Sequence, residues 1–362
     1  MRVLIAVDSF KGSLSSPDAG AALAAGWRSV RPGDELDVLP LADGGEGTAE
    51  VVAAATPGAS RREVPGVAGP DGRAVTAEWY LLPGGVAVLD LAQMSGLPLM
   101  AALDPMGATT RGLGETIRAA VADGAREVWI GLGGSASTDG GLGALRALGL
   151  RALDADGEEI PEGGAGLRRL SAVDRTGLLP IPGGVSLLTD VTSPLTGPHG
   201  AAAVFGPQKG ATPEQVDVLD RHLAHLAEVL RADPTAAGGG AAGGTGYGFV
   251  AVYGAAVVPG ADRVAELTRL DDRIAAADLV VTGEGAFDFQ SLRGKLVGNI
   301  LRRAEAAGTG RAVVAGVVRE DPGVPHVGLV EVAGGVEGAL GEPARWAAVA
   351  AAALARRFEG RA

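Results

Sequence analysis

The sequence predicts an α/β protein whose main parallel sheet is assembled from both ends of the chain, with a second α/β domain inserted between them. Three observations carry this expectation. Short apolar runs alternate with alanine-rich helical stretches along the 362 residues, the pattern of strands joined by crossover helices. The first two runs and the last three read as one five-stranded unit, formed by residues 1–70 and 260–362, while 71–259 carries its own strands and longer loops. Several runs end in glycine- and aspartate-rich loops, and open α/β sheets bind ligands beyond the carboxyl ends of their strands.

The first strand is expected over 3–7, where VLIAV runs into Asp8. Ser16 then caps a helix, with Pro17 at its first position and Asp18 in its first turn. Leu23, Trp27 and Val30 recur at helical spacing until Pro32 and Gly33 stop the run. Further strands are expected at 36–41, 86–91, 128–132, 185–189, 279–282, 312–317 and 329–332. His222 and His225 share one face of a helix and have no obvious third ligand, so they read as a half-buried face rather than a metal pair. The stretch AAGGGAAGGTGYG (236–248) is too glycine-rich for a core element and reads as a hinge or as a loop that needs close backbone approach.

Composition narrows the function. Hydrophobic residues make up 47% but aromatics only 4%, so the cores must be built from small aliphatics. With no cysteine there is no disulfide, thiolate ligand or cysteine nucleophile. No run is long enough to span a bilayer and no secretory leader is evident, so a soluble cytoplasmic protein without a membrane partner is expected. A net charge of −12 argues against nucleic acid as a partner. A small anion remains compatible where a few cations reverse the field locally. Only three cations are lysines (Lys11, Lys209 and Lys295), each beside a glycine; the other 28 are arginines.

Five strand-end loops share one chemistry. The first, DSFKGSLS, holds Asp8, Ser9, Lys11 and Ser13, and the second, ADGGEGT, holds Asp43, Gly44 and Gly45. The third, GLGGSASTDGG, holds Gly133, Gly134, Ser135 and Asp139. The fourth, DVTSPLTGPHGAAAVFGPQKGA, holds Asp190 and Lys209, with Lys209 the weakest phosphate candidate and readable as a surface lysine. The fifth, TGEGAFDFQSLRGK, holds Gly283, Glu284, Asp288, Gln290, Arg293 and Lys295. Glycines let backbone N–H groups wrap an anion, lysines supply mobile point charges for phosphate oxygens, and carboxylates hold Mg²⁺ or accept a proton. Together these are the requirements of phosphoryl transfer from ATP. No stretch fits GxxxxGK[ST], so a Walker loop is rejected, and GLGGSA does not complete GxGxxG, so it is at best a weak dinucleotide fingerprint.

Those five motifs, in that order, resemble the bacterial glycerate kinases of the glycerate 2-kinase type, at least from Met1 to Lys295. The resemblance implies Mg²⁺-dependent transfer from ATP to D-glycerate, generally giving 2-phosphoglycerate. It also implies a flavodoxin- or Rossmann-like domain built from both chain ends, with a second α/β domain inserted. The family often carries asparagine where this chain has Thr138 and Ser193; its one asparagine is Asn299.

Individual roles follow from chemistry. Asp190 is expected to accept the hydroxyl proton or orient the metal, with Asp8 and Lys11 beside it in catalysis. Asp43, Glu284 and Asp288 are the candidate Mg²⁺ ligands. Arg293 and the glycines around Ser135 are candidates for the acceptor's carboxylate. Two other readings are open: a kinase for a related hydroxy acid or for the 3-position, and a non-catalytic nucleotide- or sugar-acid-binding protein. A monomer or homodimer is expected.

Overall fold

The computed structural model describes residues 1–292 and 296–359; Arg293, Lys295 and the side chain of Gln290 lie outside the described residues. In chain order the strands are β1 (Arg2–Val7), β2 (Glu35–Pro40), β3 (Ser60–Ala68), β4 (Ala74–Leu82), β5 (Val86–Asp90), β6 (Glu127–Gly131), β7 (Arg151–Leu153), β8 (Ala172–Asp174), β9 (Val185–Leu188), β10 (Ala256–Val258), β11 (Leu279–Phe287), β12 (Gly310–Val318) and β13 (His326–Gly328). The chain divides into two compact units, Met1–Asp43 with Ala261–Ala362, and Gly44–Gly260.

The first unit holds a five-stranded sheet of order β13-β12-β11-β1-β2, parallel throughout. Its interior strands are rich in Val, Ile, Leu and Ala because helices cover both faces of a parallel sheet. Val3, Ile5, Val7, Leu279, Val281 and Val314 pack with Leu23 and Trp27 of the helix Ser16–Val30 and with Ala347, Ala351 and Leu354 of the helix Pro343–Arg356. On the other face Phe287, Val313 and Ala315 meet Val297 and Leu301. From β1 the chain steps to β2 on one side, and it later returns to place β11 on the other. The β1/β11 boundary is therefore the switch point at which open α/β sheets hold ligands.

The second unit is built on a mixed sheet of order β10-β9-β6-β5-β4-β3, parallel from β10 to β5 and antiparallel from β5 to β3, with β7 and β8 paired separately. Its core is aliphatic around Leu89, Ile130, Leu187, Leu223 and Leu226, with Trp79, Tyr247 and Phe249 as its aromatic members. The first crossing between units falls after Asp43 and not near residue 70, because β3 and β4 pair into this sheet.

Local expectations are corrected at four points. The residues at 329–332 form the helix Leu329–Ala333, and the fifth strand of the first sheet is His326–Gly328 just before it. The cap of the first helix is Ser15, whose Oγ accepts from Asp18 N. Ser16 instead donates to the Val7 carbonyl and accepts from Leu41 N, tying β1 to β2. Strand β11 runs on to Phe287, so Gly283 and Glu284 lie inside the sheet and not in a loop. The glycine-rich 236–248 segment enters the core: Ala241–Tyr253 is helical apart from a left-handed kink at Ala242, Gly243 and Gly244, and Ala241, Tyr247 and Phe249 are buried. Among the described residues no helix is long and apolar enough to cross a membrane.

Candidate functional site

In the first unit, Asp8 follows β1 directly and its N–H donates to the Gly283 carbonyl of β11 at 3.0 Å. Ser9 N donates to Asp8 Oδ1 at 2.6 Å. Burial first, and then the neighbouring Asp43 and Glu284 charges, raise the Asp8 carboxyl to about 8 against the opposing bond from Ser9. Three carboxylates from the ends of β1 and β2 and from within β11 are thus gathered at the switch point. Thr282, two residues before Glu284 and so on the same face of β11, is fully buried, and its Oγ1 has no hydrogen-bond partner among the described residues.

Beside this acidic edge the chain makes a tight turn. Phe10 N donates to the Leu14 carbonyl at 2.9 Å, Ser13 N and Oγ both donate to the Phe10 carbonyl at 2.8 Å, and Gly12 supplies φ +78°. The turn leaves Lys11 exposed at its tip, where a mobile ammonium can reach a ligand. Asp288 forms a reciprocal cap with Ser291: its N–H donates to Ser291 Oγ at 3.0 Å, and its Oδ1 accepts from Ser291 N at 3.3 Å. Gly283 has a packing role, because a Cβ there would run into the Val314 carbonyl.

In the second unit the other loops converge on one another. Leu132 N donates to the Gly44 and Leu188 carbonyls at 2.9 and 3.2 Å. A Cβ on Gly44 would lie 2.7 Å from Leu188 C, and one on Gly133 would lie 2.9 Å from Glu46 N, so backbones approach where only glycine fits. Gly45, Gly133, Gly134 and Ser135 therefore stand together beside the end of β9, which Asp190 follows as an exposed residue. Asp139 is buried and turned inward, accepting from Thr110 N and Oγ1 and from the Gly141 and Gly143 amides at 2.8–3.1 Å.

Lys209 is not a surface lysine. It is 2% exposed and its Nζ donates to the Ser137 carbonyl; burial lowers its pKa to about 8 against the opposing pull of Asp139. Thr138 is also fully buried, and its hydroxyl has no hydrogen-bond partner among the described residues.

One residue escaped the sequence reading. Asp90 closes β5 and is buried, and its two oxygens accept from Gly47 N at 2.9 Å and Ala49 N at 3.0 Å. It thereby caps the helix Thr48–Ala55 and holds the ADGGEGT loop. Burial, with Glu46 and Glu50 nearby, raises it to about 7 in spite of those two bonds. The signal in the sequence is a single acid ending the apolar run VAVLD.

The glycerate kinase family model matches residues 3–358 of this chain. The chain belongs to the glycerate kinase family. A glycerate 2-kinase of Escherichia coli (strain K12) is 40% identical over 339 residues, covering 90% of this chain and 88% of the relative. A glycerate kinase of Bacillus subtilis (strain 168) is 41% identical over 331 residues, covering 89% and 86%. A crystal structure of a Salmonella typhimurium LT2 protein, solved as a candidate glycerate kinase 2, matches with a TM-score of 0.79 at 37% identity, covering 99% of this chain and 98% of that one. Family membership spans both units, so the acidic edge of the first and the glycine-lined loops of the second belong to one kinase chain.

Proposed function

We propose that this chain transfers the γ-phosphoryl group of ATP to the 2-hydroxyl of D-glycerate, releasing ADP and 2-phosphoglycerate. The observation that carries this reading is the gathering of Asp8, Asp43 and Glu284 at the switch point of a glycerate-kinase-family sheet. Phosphoryl transfer proceeds through a loose transition state, so the protein's work is to position the reactants and to balance charge. Lys11 is assigned to phosphate oxygens, together with backbone N–H groups around Gly44, Gly45, Gly133, Gly134 and Ser135. Asp190, exposed beyond β9, is assigned to orient the acceptor hydroxyl and take its proton late, with Asp8 as the second candidate.

Mg²⁺ is proposed to accompany the nucleotide. Among the described residues no group of three or more histidines or acids is arranged to hold a metal ion. Mg²⁺ does not need such a cage, because it typically takes one or two carboxylates and completes its shell with waters and phosphate oxygens. Asp8, whose proton affinity the neighbouring Asp43 and Glu284 charges raise, fits that role together with those two acids, because a divalent cation relieves their repulsion. Asp288 is a weaker ligand candidate, given its cap to Ser291. When bound, the ion neutralises charge on the phosphates. The cysteine-free composition suits a cytoplasmic enzyme.

Phosphorus NMR of the product tests the reading in one experiment. A 2-phosphoglycerate signal from D-glycerate and MgATP is expected. A 3-phospho product would overturn the regiochemistry alone, and the absence of any phosphorylated three-carbon acid would overturn the activity.

A further inference from the structure

A buried lysine is an expensive way to fill space. Its charge must leave water, and an apolar side chain of similar volume is often neutral or stabilising in its place. Lys209 is 2% exposed, in a chain that otherwise uses arginine for nearly all its cations. Its Nζ donates to one main-chain carbonyl, that of Ser137, in a loop far away in sequence. The same carbonyl is pressed from another side by Gly243, where any Cβ would collide with it and would lie 2.8 Å from Thr138 Cα. Ser137 in turn fixes the residue two positions before it: Ser137 N donates to Ser135 Oγ at 3.2 Å, and the two hydroxyl oxygens are 3.3 Å apart. Further along the turn, Ala136 N donates to the Ser95 carbonyl at 2.9 Å and Gly140 N to the Gly243 carbonyl at 3.1 Å.

We infer that Lys209 is a positioning residue for the proposed phosphoryl transfer. Its buried ammonium anchors the Ser137 carbonyl, to which the Ser135 hydroxyl also donates at 3.3 Å, and so fixes the turn that presents the Gly133 and Gly134 backbone to an anionic substrate. It touches no substrate itself, and this separates it from Lys11, which is exposed on its turn. The inference rests on the kinase reading, because the turn must be a binding surface for its shape to matter.

The test compares wild type with Lys209→Met and Lys209→Gln, by steady-state kinetics against MgATP and D-glycerate and by hydrogen exchange of the 131–139 amides without substrate. Methionine keeps the apolar bulk and removes the donor; glutamine keeps a neutral donor for the carbonyl. Lys209→Met is expected to fold, to exchange faster in that segment, and to raise KM for at least one substrate about tenfold, the scale of one lost charge-assisted hydrogen bond. Lys209→Gln is expected to recover part of that loss. A methionine variant with lower kcat but both KM values and the local exchange unchanged would overturn the inference, since a lower active fraction explains it. If neither variant folds, Lys209 holds the fold and the inference also fails. If wild type fails to phosphorylate D-glycerate, the kinase reading falls by itself, and the exchange data still report whether Lys209 anchors the turn.

Discussion

Gly243 and Gly254 offer a controlled comparison, because they share a backbone conformation and differ in what surrounds them. Their φ values are +65° and +64°, and both belong to the second unit. Alanine at either position incurs the left-handed penalty of about 1–2 kcal/mol, partly offset by about 0.4–1 kcal/mol because the unfolded chain loses freedom. The fold tolerates that penalty elsewhere: Ala242, next to Gly243, sits at φ +51°. Around Gly254 a Cβ would meet nothing within 4 Å. At Gly243 it would strike the Ser137 carbonyl and lie 2.8 and 2.9 Å from Thr138 Cα and Ser137 C, which are backbone atoms that cannot rotate away. Overpacking of this kind adds about 1–3 kcal/mol.

Gly243→Ala should therefore be the less stable variant by about 1–3 kcal/mol. That corresponds to roughly 2–12 °C in the melting transition of the second unit at about 2–4 °C per kcal/mol. Circular dichroism melts of the two variants and wild type measure the difference directly. Because the collision falls on the carbonyl that Lys209 holds, Gly243→Ala should also lose turnover at temperatures where it remains folded, while Gly254→Ala should keep it. Equal melting shifts for the two variants would refute the contact argument and leave the left-handed conformation as the whole reason for glycine.

Three other outcomes follow from the site. Asp90 sits at about 7 when folded against an ordinary value of 3.8, so the unfolded chain gives up this proton first and the group's contribution to stability falls as pH rises from about 4 to 7. The melting temperature of wild type minus that of Asp90→Asn should accordingly shrink over that window and level off above it, and a flat difference would show that Asp90 keeps an ordinary pKa. Lys11→Ala, at an exposed turn tip, should leave the melting temperature within the range of surface changes, about 0.5 kcal/mol, while lowering kcat more than tenfold; near-normal turnover would remove Lys11 from the reaction. Asp190→Asn should bind MgATP normally by calorimetry yet turn over at least about a hundredfold more slowly, and wild-type rates would pass the proton-accepting role to Asp8.

The parts of the fold that could be read from sequence are those where one physical signal dominates. Strands β1, β6, β9, β11 and β12 are interior strands with parallel neighbours on both sides, and each contains the apolar run, VLIAV, VWI, VSLL, LVV or AVVAGVV, that marks its position in the sequence, although the run in β11 gives only its first part. Strand β3 hides because SRREVPGVA carries three charges and a proline. It is an edge strand with a register shift between Val64 and Val67, the setting in which proline and charge are tolerated. The run LVEV looks like a strand by its β-branched residues, yet His326–Gly328 has already taken the pairing with β12, and Gly334 at φ +73° closes the helix that follows. In the site, the residue types were legible and their surroundings were not. Lysine beside glycine marks both Lys11 and Lys209, but only the packing of Ser137 and Gly243 separates an exposed cation from a buried anchor.

The same fold handles aspartates in two opposite ways, and the contrast bears on function. Asp34 is held down to about 2, first by its bond from Arg31 and then by Trp27 and the amino terminus; Asp71 is held at about 2 by Arg73. These are carboxylates made comfortable by cations that the protein supplies, from a stock rich in arginine. Asp8 is driven to about 8, first by burial and then by two further acids, Asp43 and Glu284. Collecting like charges at the edge of a buried sheet destabilises the unit that contains them, so stability alone does not account for it. A site that must accept a cation with its substrate has a reason to carry that repulsion, because the arriving charge then gains what the resting protein lacks. In a chain of net charge −12 that uses a polyanionic nucleotide, the proposed Mg²⁺ at this cluster would bring in with the phosphates the positive charge that the surrounding acids lack.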